Sequence, residues 1–287
     1  MLKPTKAVLV GIWLLTIGGF CSAQDNAARI LTLKSRVFEN TRHLRVLLPP
    51  GYHAPANRDR RYPVCYFTDG IAAWDAWAVP ETANALWRHK KITELIFVAI
   101  DNGGSTREST DPLRDRAGEY LPYPDQTWTE HPPEPRGKRF PRFLFEEVLP
   151  LVNAEYRTRP DAIGLAGSSY GGAVALYTAI THPGRIGFLL LESPSLHIGD
   201  ERLLADAAAA RQWPGLIYLG AGTAEGDTPR ARQQMVTNLR RLQATLEKLA
   251  NGPRLHVVIQ EGGVHWYDAW KARLPEALEF LYAQDRP

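Results

Sequence analysis

The hydrophobic positions of this chain fall into short apolar runs that, in the second half, alternate with longer amphipathic stretches. Period-two alternation over 28–35 and 41–49 predicts two strands that pair antiparallel at one edge of a sheet. Near-continuous apolar runs predict buried strands at 62–68, 94–100, 162–166, 185–191, 215–219 and 255–260. Helical periodicity predicts helices over 71–90, 140–156, 172–180, 199–212, 229–250 and 267–281.

This order of elements predicts an α/β fold with a mostly parallel sheet of roughly eight strands and helices on both faces. Ligands bind such sheets beyond the carboxyl ends of the strands. Functional side chains are therefore expected in the turns after 68, 100, 191, 219 and 260. No internal repeat is present in the sequence.

The segment 101–139 departs from this pattern. Pro, Gly, Arg and Asp dominate it, while Tyr120, Tyr123 and Trp128 are interspersed. Irregular segments of this length are uncommon in compact domains unless they serve a function. We interpret 101–139 as a long loop that forms the wall or lid of a site.

The N-terminus has the three parts of a secretory signal. Lys3 and Lys6 precede an apolar run over 7–20, and Cys21-Ser22-Ala23 has the pattern of a cleavage site. We predict a signal peptide over 1–23 and a single domain over 24–287 that is periplasmic or secreted. The apolar run is shorter than the ~20 residues of a spanning helix, so no stable membrane anchor is expected after cleavage. Cys65 would then be the only cysteine, which leaves no internal disulfide.

Composition and charge narrow the range of partners. The chain has 287 residues, of which 44% are hydrophobic, as in globular proteins. Its net charge is +3, but removing the two leader lysines from 34 basic residues leaves 32 against 31 acidic ones. Such a balance gives no electrostatic basis for binding nucleic acid.

The most informative motif is Gly167-Ser168-Ser169-Tyr170-Gly171, a G-x-S-x-G sequence between a predicted strand and a predicted helix. A sharp strand-to-helix turn exposes the central serine, and glycines avoid collisions in so tight a turn. The bare pattern also occurs in ordinary glycine-rich turns. Its strand–turn–helix context predicts a nucleophile at Ser169.

A serine hydroxyl needs a base to take its proton and an acid to orient that base. In this topology the three follow the chain order serine, acid, histidine. Of eight histidines, His265 is the only one that lies late in the chain and just after a strand, so it is the candidate base. A structural histidine is the alternative. His197, after the Ser-Pro-Ser turn, could line the pocket.

The position of the acid leaves three alternatives. Glu225 and Asp227 both lie in the turn after the 215–219 strand, and position alone does not separate them. Asp227 also suits the N-cap of the next helix. Glu192 ends another strand at the same edge. For an oxyanion hole we predict the backbone N–H groups of Tyr170 and Ile71.

Five segments resemble the esterase family of α/β hydrolases that includes feruloyl and acetyl-xylan esterases, enterochelin esterases, S-formylglutathione hydrolase and the antigen 85 mycolyltransferases. They are LLPPGY at 47–52, YPVCYFTDG at 62–70, AGSSYGG at 166–172, GTAE at 222–225 and GVHWYDAW at 263–270. The resemblance implies an α/β-hydrolase fold with the acid on Glu225, the base on His265 and an oxyanion N–H on Ile71. The segment 128–138 departs from it, being rich in Pro and charge where relatives often have glycines.

These observations predict a secreted or periplasmic serine esterase that needs no metal or cofactor and acts on a small-molecule or carbohydrate-linked ester. Acyl transfer would need only a different acceptor, and a non-catalytic binding module is the competing class. Aromatic residues suit a sugar or hydroxycinnamoyl group, and arginines suit an anionic catecholate siderophore. Ordinary packing and solvated charge are the alternative roles of these residues. The aromatic residues are Trp74, Trp77, Tyr120, Tyr123, Trp128 and Trp266, and the arginines are Arg107, Arg114 and Arg116.

Overall fold

The computed structural model describes residues 29–284, so the predicted signal peptide lies outside the described residues. Eight strands form one sheet, and in chain order they are β1 (Arg29–Ser35), β2 (Asn40–Leu47), β3 (Tyr62–Phe67), β4 (Ile96–Ile100), β5 (Thr158–Ser168), β6 (Phe188–Glu192), β7 (Leu216–Gly222) and β8 (Arg254–Gln260). Their spatial order is β1-β2-β4-β3-β5-β6-β7-β8.

Strand direction follows the prediction. β1 pairs antiparallel with β2, and β2 pairs antiparallel with β4. All remaining pairs are parallel, which confirms a mostly parallel sheet with an antiparallel edge. Ser168 is opposite Glu192, and Glu192 is opposite Gly220. The loops after β5, β6 and β7 therefore meet at one edge of the sheet.

The helices are α1 (Gly70–Asp75), α2 (Val79–Arg88), α3 (Pro112–Tyr120), α4 (Phe140–Phe143), α5 (Leu149–Glu155), α6 (Ser169–Thr181), α7 (Ile198–Ala209), α8 (Pro229–Glu247) and α9 (Tyr267–Tyr282). The helix predicted over 71–90 is two helices, because Ala78 adopts a left-handed conformation with φ 55° just before Pro80. A π-helical turn, Leu144–Val148, divides the helix predicted over 140–156.

The prediction of an irregular segment over 101–139 is wrong in its middle, where α3 forms. Pro112 occupies the first turn, where its missing N–H costs nothing. The Asp111 side chain caps the helix by accepting from the Arg114 N–H at 3.2 Å. Few apolar residues mark this helix in the sequence, so its cap and its proline are its only local signals.

Helices cover both faces of the sheet, as predicted. Alternate strand residues point to opposite faces, so each face offers apolar side chains against which helices pack. Tyr66 and Leu165 pack on one face, against helices that include α6 and α8. Cys65 and Phe67 pack on the other, against α1, α2 and α9. Cys65 is a buried free thiol, which confirms its interpretation as a small core residue. Within residues 29–284, no helix has both the length and the apolar character needed to cross a bilayer.

A buried ion pair ties the antiparallel edge of the sheet to α3. The Arg42 guanidinium donates to both oxygens of Glu119, at 2.9 and 2.5 Å, and both side chains are at most 1% exposed. Arg42 also donates to the Asp101 carbonyl at 2.9 Å. The chain leaving β4 is thereby attached to β2 and α3 at the same point.

Replacing Glu119 with alanine is expected to lower the free energy of unfolding by about 3–5 kcal/mol, because it leaves the Arg42 guanidinium buried without a counter-ion. Chemical denaturation measures this loss. Glu146→Ala is the matched control, since it breaks an Arg142–Glu146 pair that is more than half exposed on both sides. That change should cost at most about 1 kcal/mol. Equal losses for the two variants would contradict the structural role of the buried pair.

Candidate active site

Ser169 occupies the bend between β5 and α6. It has φ 54°, a left-handed conformation that is rare for a residue with a side chain. The flanking glycines are required by space, since a Cβ at Gly167 would lie 2.4 Å from the Gly171 carbonyl oxygen. A Cβ at Gly171 would lie 2.3 Å from the Thr68 hydroxyl. The bend therefore presents the Ser169 side chain at the carboxyl edge of the sheet.

Glu225 and His265 are hydrogen-bonded to each other at the same edge. The His265 Nδ1 lies 2.9 Å from the Glu225 Oε2. An ionised carboxylate only accepts hydrogen bonds, so Nδ1 carries the proton and Nε2 is left with a lone pair. The Glu225 side chain is fully buried, whereas that of His265 is 33% exposed. The imidazole thus combines a fixed orientation with access from solvent.

The second oxygen of Glu225 is fixed by groups that the sequence analysis missed. Its Oε1 accepts from the Ser193 hydroxyl at 2.6 Å and from the Gly222 N–H at 2.6 Å. The Trp270 indole N–H donates to the Ser193 hydroxyl at 2.8 Å. The rings of His265 and Trp270 also meet edge to face, with centroids 5.2 Å apart. The location of Ser193 directly after β6 was the one available signal.

Ser193→Ala is expected to lower kcat for ester hydrolysis about tenfold, because Glu225 loses a hydrogen bond worth ~1.5 kcal/mol. Steady-state kinetics on a p-nitrophenyl ester measure the change. Ser195→Ala is the matched control, since the contact of Ser195 with the Ser169 carbonyl, at 3.1 Å, uses its backbone N–H. Wild-type kcat in Ser193→Ala would show that Glu225 needs no such support.

The two other candidate acids lie in different surroundings. Glu192 accepts a forked pair of hydrogen bonds from Arg273, at 3.0 and 2.6 Å. Burial raises the pKa of Glu192 to about 7, while Arg273 acts in the opposite direction. Asp227 is exposed, and among the described residues the carboxylate that His265 pairs with is Glu225, not Asp227. Its suggested capping role is wrong, because Thr228 caps α8 by accepting from the Ala231 N–H at 3.1 Å.

One loop connects Ser169 to the Glu225–His265 pair. This β6–α7 loop contacts Glu225 through the Ser193 hydroxyl and the Ser169 carbonyl through the Ser195 N–H. No direct hydrogen bond joins the Ser169 hydroxyl to His265 within the described part of the chain. Such bonds are often long without substrate and shorten when it binds.

The two predicted oxyanion N–H groups lie at helix starts. Tyr170 is in the first turn of α6, and Ile71 is in the first turn of α1. The first four N–H groups of a helix have no intrahelical acceptor, so both remain available to a ligand. Asp69 precedes α1 in a left-handed conformation with φ 55°. This conformation sets the direction in which the Ile71 N–H points.

A polar cluster from the 101–139 segment surrounds the Tyr170 phenol. The Tyr170 hydroxyl donates to Asp125 at 2.5 Å and accepts from the Trp128 indole N–H at 3.1 Å. His197 Nε2 lies 3.2 Å from the same Asp125 carboxylate. Burial alone would raise the pKa of Asp125, but hydrogen bonds from His197, Tyr170 and Thr127 hold it well below its usual range. Asp125 is therefore an anion next to Tyr170, the residue that follows Ser169.

Two of the proposed substrate-binding aromatics are core residues. Trp77 is 3% exposed and packs against the rings of Phe67 and Trp270, so its assignment to substrate is wrong. Tyr120 is fully buried and its hydroxyl accepts from the Asp69 N–H at 2.9 Å, so its assignment is wrong for the same reason. Trp74 is half-buried, and Trp266 is 59% exposed.

The suggested arginines also separate into two kinds. Arg116 holds the Asp69 carboxylate with two hydrogen bonds, at 2.6 and 2.8 Å, so its charge is already paired. Arg107, between β4 and α3, and Arg114, in the first turn of α3, are both exposed.

A cavity of about 510 Å³ opens beside His265. Its lining combines apolar and polar side chains and includes neither Arg nor Lys among the described residues. His197 lines it, as suggested, whereas the contribution of α8 was missed because that helix reads as largely polar and solvent-exposed. The lining residues are Thr127, Leu196, His197, Glu225, Gly226, Asp227, Ala231, Gln234, Met235, Asn238 and His265.

Within residues 29–284, no group of three or more His, Cys, Asp or Glu side chains is arranged to hold a metal ion. The histidines at the site contact carboxylates, Glu225 in one case and Asp125 in the other. The site therefore consists of a serine, two imidazoles, two buried carboxylates and free backbone N–H groups.

A profile of the family described as "Putative esterase" matches residues 35–281, nearly all of the described chain. The chain belongs to this esterase family. The Iron(III) enterobactin esterase of Dickeya dadantii (strain 3937) is 28% identical over 161 residues, which are 50% of this chain and 35% of that enzyme.

Solved structures show the α/β-hydrolase fold of this family member. The IroE-like serine hydrolase from Shewanella oneidensis superposes with a TM-score of 0.72 at 19% identity, over 89% of this chain and 80% of that one. The siderophore hydrolase EstB from Aspergillus nidulans gives a TM-score of 0.70 at 17% identity, over 96% and 97%. At these identities the likeness concerns the fold.

Proposed function

We propose that this esterase-family protein is a serine esterase, periplasmic or secreted, that hydrolyses a carboxylic ester through an acyl-enzyme on Ser169. The observation that carries the proposal is the buried Glu225–His265 hydrogen bond at the same sheet edge as a serine held in a left-handed bend. The leader predicted over 1–23 supports the location.

In the acylation step, the Ser169 hydroxyl oxygen attacks the ester carbonyl carbon while its proton passes to His265 Nε2. The carbonyl oxygen becomes an oxyanion that accepts from the Ile71 and Tyr170 N–H groups. His265 then returns its proton to the departing alkoxide. The C–O bond to the alcohol breaks, and the acyl group stays on Ser169.

Deacylation repeats these transfers with water as the nucleophile. His265 Nε2 takes a proton from the water as it attacks the acyl carbon, and a second oxyanion forms in the same place. Its collapse breaks the bond to the Ser169 oxygen, which recovers its proton from His265. Glu225 stabilises the imidazolium formed in each half-reaction and keeps Nδ1 protonated.

The cavity beside His265 is large enough to hold a medium-sized organic group of the substrate. Its volume of about 510 Å³ lies in the range of small-molecule sites. Thr127, His197 and Gln234 offer hydrogen bonds, while Leu196 and Met235 offer apolar contact. The absence of Arg and Lys from the described lining favours a neutral group there, such as a sugar or a hydroxycinnamoyl unit.

A panel of esters tests the proposal. The purified protein is expected to hydrolyse p-nitrophenyl acetate and at least one of acetylated xylan and methyl ferulate, with the acid and alcohol products identified by chromatography. Turnover of no ester in the panel would contradict the proposed activity.

A siderophore esterase is the second candidate, because the proteins similar to this chain include an enterobactin esterase and a siderophore hydrolase. The exposed Arg107 and Arg114 would suit an anionic ferric catecholate. Ferric enterobactin in the same panel separates the two candidates. A kcat/KM for ferric enterobactin well above that for neutral esters would favour the siderophore.

A further inference from the structure

Arg116 contacts the loop that carries one of the two proposed oxyanion donors. Its Nε and one terminal nitrogen donate to the two oxygens of the Asp69 carboxylate, at 2.6 and 2.8 Å. The Asn102 side chain donates to the same carboxylate at 2.7 Å. Three donors thus fix one side chain in space, and that side chain directly precedes α1.

Asp69 needs this support because its backbone is strained. Its φ of 55° lies in the left-handed region, which costs a residue with a side chain about 1 kcal/mol or more. Such conformations persist where their surroundings hold them in place. The Tyr120 hydroxyl holds the Asp69 N–H at 2.9 Å, while Arg116 holds the carboxylate. Since Ile71 follows two residues later, the Asp69 conformation sets the direction of its N–H.

The same arginine also contacts the other proposed donor. Its guanidinium lies over the Tyr170 ring, 5.8 Å from the centroid. The Asp69 carboxylate lies against the nucleophile bend as well, since a Cβ at Gly171 would be 2.9 Å from one of its oxygens. Arg116 therefore lies between the α1 start and the α6 start.

We propose that Arg116 is a positioning residue for the oxyanion hole, which it aligns by holding Asp69 and Tyr170 in fixed relative positions. The inference rests on the proposed serine esterase function. Arginine suits the role because its planar fork binds both carboxylate oxygens while its face stacks on an aromatic ring. A lysine would supply the charge without this geometry.

Arg116→Met is expected to lower kcat for p-nitrophenyl acetate about 100-fold while KM changes less than about threefold, because a misplacement of ~1 Å costs on the order of 10² in rate. Arg116→Lys should lower kcat about tenfold. Affinity for a boronic acid, which forms a tetrahedral adduct on the serine, should fall in parallel with kcat/KM across the variants. Added guanidinium ion at millimolar concentration should restore part of the kcat of Arg116→Met.

Arg60→Met is the control. It removes an arginine from the Glu94 carboxylate, and this pair precedes the parallel strands β3 and β4, so it lies at the opposite end of the strands from Asp69. Its kcat should stay within about threefold of wild type. If circular dichroism shows that Arg116→Met is unfolded, Arg116→Lys decides the matter, because it keeps the positive charge beside Asp69.

Wild-type kcat and boronate affinity in a folded Arg116 variant would overturn the inference. A change in KM alone would also overturn it, because it would make Arg116 a direct substrate contact. Failure of the proposed function is distinguishable, since wild-type protein would then show no ester hydrolysis at all.

Discussion

Ser169→Ala is expected to lower kcat for p-nitrophenyl acetate by at least about 10⁴-fold, because no other group can form the acyl-enzyme. The left-handed bend at Ser169 accommodates alanine no worse than serine, so the fold should be retained. Stopped assays with product detection measure the loss of activity, and a circular dichroism spectrum of the variant shows whether the fold is retained.

Ser168→Ala is the matched control for this loss. Ser168 is adjacent in the chain and buried, and its side chain makes no capping hydrogen bond at the start of α6. Activity within about threefold of wild type is expected for it. Comparable losses of kcat in the two variants would mean that altered packing of the bend causes the loss. That result would contradict Ser169 as the nucleophile.

His265→Ala is expected to lower kcat about as far as Ser169→Ala, because members of a catalytic set act as a unit. Without the imidazole, Ser169 keeps its proton at neutral pH and the departing alcohol receives none. The double variant should be no slower than either single variant. Additive losses would instead show that the two residues act independently.

His256→Ala provides the comparison for His265→Ala. Its imidazole lies 2.7 Å from the Glu276 carboxylate, so it also belongs to a histidine–carboxylate pair. That pair lies between β8 and α9 and has no link to Ser169 or Glu225 among the described residues. Its removal should leave kcat within about threefold of wild type.

The strands and the Ser169 bend were predictable because their signals are local. Buried strands such as β4 are continuous apolar runs. The Ser169 bend needs its glycines within two residues on either side, so the whole motif lies in one short stretch. The strand-end positions of Ser169 and His265 were visible in the alternation of elements, whereas the choice of Glu225 over Asp227 rested on the family resemblance.

The supports of the site were not predictable, because they join residues that are distant in the chain. Ser193 contacts Glu225 across 32 positions and Trp270 across 77. Arg116 and Asp69 are 47 positions apart. The sequence around a polar loop residue does not indicate which distant residue it will contact in the folded protein.

Aromatic residues near the site were ambiguous for a related reason. Trp77 and Tyr120 lie in segments that border the carboxyl edge, as Trp74 and Trp266 do. The first two turn inward and become core residues, whereas Trp266 is largely exposed. Composition and spacing are the same for a buried ring and for one that lines a pocket, so only packing separates them.

Labelling with a fluorophosphonate probe tests the central claim most directly, because the probe reacts with a serine only when its hydroxyl is activated. Wild-type protein should acquire one adduct, located on Ser169 by peptide mass spectrometry, and the Ser169→Ala variant should acquire none. An adduct on another residue, or the same labelling in both proteins, would contradict the account.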